Sequence, residues 1–68
     1  MFKQNFIRLC SDRGESPTAV CVKCGLSNAA FSSWTDSTVP RRTTLLKFAD
    51  YFGVPVSALT NDSTPHFD

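Results

Sequence analysis

Apolar residues recur at helical spacing along most of this chain. Phe2, Phe6, Leu9, Cys10 and Arg13 follow an i, i+4, i+7, i+8, i+11 rhythm, with Lys3, Gln4, Arg8 and Asp12 on other faces. That rhythm predicts an opening amphipathic helix, which Gly14 ends. A second helix is expected over 17–24 with Val20, Cys21 and Cys24 inward. Ser16 is a good N-cap for it, and Pro17 falls at the first helical position, where no backbone donor is needed. Gly25 stops that helix, and Ser27 can cap a third over about 28–35, with Phe31 and Trp34 on its buried face.

Residues 36–42 are turn-rich and hold Pro40, so they form a loop, and Arg41 and Arg42 make it the most basic spot in the chain. Thr43 or Thr44 can cap a fourth helix whose Leu45, Phe48, Ala49 and Phe52 form an i, i+3, i+4, i+7 stripe ended by Gly53. A short fifth helix begins near Pro55, with Val54, Val56 and Leu59 as candidate core contacts. Residues 61–68 lack periodicity, so the chain reads as one domain over 1–60 followed by a flexible tail. Short helices, short loops and scattered β-branched residues predict a compact all-α bundle of five helices. Phe2, Phe6, Phe31, Trp34, Phe48 and Phe52 fall on the buried stripes, which favours a core role over a platform for stacking bases.

A chain of 68 residues supports one domain that buries only roughly 60% of its unfolded surface, so dimerisation is the expected supplement to its stability. No apolar stretch approaches the roughly 20 residues that span a bilayer, and no secretory leader pattern opens the chain, so a cytoplasmic location is expected. The formal net charge of +1 predicts a modest, salt-sensitive affinity for any polyanion.

Cys10, Cys21 and Cys24 are odd in number and fall in helical segments, which disfavours disulfides. Cys21 and Cys24 are formally a CxxC pair that Cys10 and His66 could complete as a zinc site. Zinc pairs sit on turns, however, whereas this pair lies one turn apart within a helix, so no metal is expected. Without a preceding strand a thioredoxin-like role is disfavoured, and Cys10 and Cys21 read as small buried hydrophobes. His66 stands alone in the tail and takes no role. Absence of a nucleophile and base pair, paired carboxylates or a phosphate loop argues against an enzyme, a cofactor or a small-molecule substrate.

Only three residues separate Cys24 from Asn28, so the second and third helices must cross steeply. One can then rest on a phosphate backbone while the other enters the major groove, the geometry of a helix-turn-helix. The pattern S-P-T-x-V-x-x-x-x-G-L-S-x-x-x-F-S-x-W, followed by T-L-L-K-F-A-D-Y-F-G-V and V-S-A-L, resembles the lambda-repressor-like, Cro/C1 or XRE-type domain over roughly residues 5–60. The resemblance implies a five-helix domain that binds operator DNA as a homodimer and acts as a transcriptional repressor or regulator.

Carried over residue by residue, it implies that the third helix reads base edges through Ser27, Asn28, Ala29, Ser32 and Ser33. Asn28 would pair with adenine and Ala29 would touch a thymine methyl. Ser16 and Thr18 at the start of the second helix, with Thr38, Arg41 and Arg42 in the following loop, would hold phosphates. Tyr51, Val54, Val56 and Leu59 would form the dimer interface. Each role has a plainer alternative: Ser16 and Ser27 as caps alone, Ser32 and Ser33 as solvent-facing hydroxyls, and Arg41 and Arg42 as a solvated pair bridged to Asp36 or Asp50. Lys23 could reach a phosphate or be an ordinary solvated lysine. The chain departs from the family pattern at Thr35-Asp36-Ser37, where a base and a glycine are common, at Glu15, where an apolar residue is common, and at Pro55 in place of a capping serine. A protein-interaction module, such as an antitoxin-like or anti-repressor component with weak DNA affinity, is the alternative function.

Overall fold

Residues 2–60 are described by a computed structural model in which the chain forms α1 (Phe2–Arg13), α2 (Pro17–Lys23), a single 3-10 turn (Phe31–Ser33), α3 (Arg42–Phe52) and α4 (Ser57–Thr60). No strand occurs among the described residues. The expected tail over 61–68, with His66, lies outside them.

α2 starts as its sequence dictates. Ser16 Oγ accepts the Ala19 amide at 3.2 Å and Pro17 opens the helix. Gly25, at φ +90°, then carries the backbone away from α2 through a conformation that side chains disfavour. α3 ends on Gly53 in the left-handed region, where the Val54 amide returns to the Ala49 carbonyl at 2.9 Å.

Phe2, Phe6 and Cys10 from α1, Val20 and Cys21 from α2, Leu45, Phe48 and Ala49 from α3, and Leu59 from α4 form one buried cluster. Phe6 lies at its centre, with ring centroids 4.7 Å from Phe48, 5.1 Å from Trp34 and 5.7 Å from Phe52. Cys10 and Cys21 are wholly buried thiols, and burial pushes Cys10 up to about 11, so they behave as small apolar fillers. One polar side chain joins this core: Asn5 Nδ2 donates to the Leu59 carbonyl at 2.9 Å and ties α1 to α4.

Three expectations need correction. The segment expected as a third α-helix, 28–35, is a turn over 28–30 followed by the 3-10 turn, so four α-helices rather than five occupy the described residues. Apart from Ala29 and Ala30, the segment consists of Asn, Ser, Thr and aromatic residues, all weaker helix formers. Ser32 Oγ donates to the Ala29 carbonyl at 3.0 Å and Ser33 Oγ to the Ala30 carbonyl at 2.7 Å, so hydroxyls compete for acceptors that a continuing helix would use. The Ser33 amide is shared between Ala29 and Ala30, and Trp34 is extended at ψ 144°, which ends the turn. α3 begins at Arg42 with Arg41 as its cap, two or three residues before the threonines expected to cap it, and Arg41 makes no side-chain capping bond. α4 begins at Ser57 rather than near Pro55, which instead supplies the carbonyl for the Ala58 amide.

Candidate nucleic-acid interface

The side chains of 27–34 divide between core and solvent. Phe31 and Trp34 turn toward the core, Trp34 standing edge-on to Phe2 at 5.0 Å, to Phe6 at 5.1 Å and to Phe48 at 5.9 Å. Ser27, Asn28, Ala29, Ser32 and Ser33 are all exposed. The expected base-contacting residues therefore all offer amide, hydroxyl or methyl groups to solvent. The protons of Ser32 and Ser33 are committed to the Ala29 and Ala30 carbonyls, so their oxygens face solvent as acceptors.

The expected phosphate contacts divide. Ser16 and Thr18 are exposed at the start of α2, and the Ser16 oxygen also caps the helix. Arg41 and Arg42 are exposed at the positive end of the α3 dipole, with no acidic residue in its first turn. Neither arginine forms an ion pair among the described residues, since both bridges there belong to Glu15. Thr38 is half-buried and spends its hydroxyl within the loop, accepting the Thr35 amide at 2.8 Å.

Of the expected dimer contacts, Leu59 is overturned: it is wholly buried within the single chain, because α4 packs its one large apolar side chain onto α1. Tyr51, Val54 and Val56 are half-buried, and the Tyr51 hydroxyl is occupied by Glu15.

Glu15 is the residue whose role the sequence pattern concealed. Its carboxylate accepts from Arg13 Nε at 2.8 Å, from Lys23 Nζ at 2.6 Å and from the Tyr51 hydroxyl at 2.6 Å. Arg13, Lys23 and Tyr51 together hold it down at about 2. Lys23 is thereby committed to the protein rather than to a phosphate, and the Arg13 guanidinium also lies 4.8 Å from the Tyr51 ring centre. The available signal was positional, since Glu15 sits in the α1–α2 bend with bases on either side of it in sequence. Lys3 was likewise missed; its ammonium donates to the Trp34 carbonyl at 3.2 Å.

No protein-family model, no curated protein and no solved structure matches the chain.

Proposed function

We propose that this chain is a sequence-specific DNA-binding regulator of the lambda-repressor-like kind, a non-catalytic protein that represses by occupying an operator as a homodimer. In this reading the turn over 28–30 and the 3-10 turn stand where that family has its third helix. The observation that carries it is the 27–33 segment, which is anchored by Phe31 and Trp34 and offers Ser27, Asn28, Ala29, Ser32 and Ser33 outward. Asn28 pairs with the adenine edge, Ala29 meets a thymine methyl, and Ser32 and Ser33 accept from the amino groups of adenine or cytosine. Ser16, Thr18, Arg41 and Arg42 hold the flanking phosphates, with Thr38 shaping the loop that carries the arginines. The second subunit docks at Val54 and Val56 beside Tyr51.

Selection from a random duplex pool tests the reading: enrichment of one short sequence supports it, and a pool that stays random sinks it. The second reading, a protein-interaction module such as an antitoxin-like or anti-repressor component, is favoured by the formal net charge of only +1 and by the absence of any charged residue in 27–33. No helix among the described residues is long and apolar enough to cross a membrane.

A further inference from the structure

A 3-10 turn is a weak element, and none of its three residues is buried, so its direction depends on what grips its two ends. At the leading end the Leu26 amide donates to the Cys21 carbonyl at 2.9 Å, which fastens the segment to α2. At the trailing end Lys3, in the first turn of α1, places its ammonium 3.2 Å from the Trp34 carbonyl and 5.5 Å from the Phe31 ring centre. The Trp34 amide closes the turn on the Phe31 carbonyl, and Trp34 is itself extended at ψ 144°, so its carbonyl lies outside the hydrogen bonds of the turn. Lys3 is half-buried there, so its charge is spent inward.

We infer that Lys3 is the positioning residue of the 27–33 segment: by donating to the Trp34 carbonyl while its ammonium lies over the Phe31 ring, it fixes the angle at which Asn28, Ser32 and Ser33 meet a duplex. This inference rests on the DNA-reading proposal above. Lys3 touches no base and no phosphate. Its effect is on sequence preference, through the rigidity of the turn.

The test compares the wild-type chain with Lys3→Met, which keeps the aliphatic stem, and Lys3→Arg, which keeps the cation and its donors. Each is measured for binding to the duplex enriched by the wild type and to a scrambled duplex, over a range of salt. Trp34 amide exchange and the fluorescence of the single tryptophan are followed on the free proteins. Lys3→Met is expected to reduce the ratio of the two affinities by about tenfold with an unchanged salt slope, and Lys3→Arg to restore it. The Trp34 amide of the Met variant should exchange faster while helical circular dichroism stays the same. A Met variant that keeps its preference and loses about one from the salt slope would mark Lys3 as a phosphate contact and overturn the inference. Unchanged Trp34 exchange and fluorescence would overturn it too. If the wild type enriches no duplex, the DNA reading falls by itself, and the Trp34 comparison still decides whether Lys3 holds the turn.

Discussion

The Tyr51 hydroxyl donates to Glu15 Oε1 at 2.6 Å, joining the C-terminal half of α3 to the bend between α1 and α2. With Arg13 and Lys23 on the same carboxylate, Glu15 is held at about 2 against an ordinary value near 4.5. Its folded form thus favours the ion. The stabilisation it contributes is complete above the ordinary value and is lost as pH falls through the folded one. Urea midpoints of the wild type and Glu15→Gln should therefore differ most above pH 4.5 and converge toward pH 2. Equal midpoints at neutral pH would show that the three contacts contribute nothing net.

Asn5 is expected to be the most sensitive polar position. It is 1% exposed, and its Nδ2 supplies the donor for the Leu59 carbonyl. Asn5→Leu leaves that carbonyl buried without this donor, so it should cost about 1 to 3 kcal/mol despite the added apolar volume. Denaturant unfolding measures the loss, and proteolysis near α4 should rise in step with it.

Phe6 should be the residue on which the aromatic cluster depends, because its ring meets those of Phe2, Phe31, Trp34, Phe48 and Phe52. Truncation to alanine should cost about 3 to 5 kcal/mol. Small domains sit near the lower end of the roughly 5 to 15 kcal/mol typical of native stability, so Phe6→Ala should leave much of the chain unfolded at room temperature. Thermal circular dichroism checks it, with Phe6→Leu expected to retain a cooperative transition.

The parts of this fold written in periodic patterns are legible in the amino-acid sequence. α1, α2 and α3 follow from apolar stripes and punctuating glycines, and the burial of Phe2, Phe6, Cys10, Val20, Cys21, Leu45, Phe48 and Ala49 follows from the same stripes. The exposure of Asn28 and its neighbours also followed, because Phe31 and Trp34 fix which side of the segment turns inward. Its conformation did not. The balance between an α-turn and a 3-10 turn is decided by Ser32 and Ser33 hydroxyls choosing local carbonyls, a competition that apolar spacing does not record. Leu59 was ambiguous for a related reason, since an apolar residue on a one-turn helix suits a core or an interface equally well until α1 is seen against it. Asn5 carried a signal that could have been used: it falls between Phe2 and Leu9 on the apolar face of α1, where a polar side chain needs a partner.

Asn28 and Arg42 should separate the two kinds of contact that a DNA reader makes. Asn28 is exposed on the 27–33 segment with a side-chain amide able to match an adenine edge, whereas Arg42 offers a guanidinium at the first position of α3. Asn28→Ala should relax preference at one base position by roughly 1 to 3 kcal/mol and leave the salt dependence alone. Arg42→Ala should weaken binding to every duplex alike and lower the salt slope by about 1. Titrations of each variant against the enriched and scrambled duplexes, at several salt concentrations, distinguish the two patterns. The exchange of these outcomes, with Arg42 altering preference and Asn28 altering the slope, would mean that the loop rather than the 27–33 segment lies in the groove.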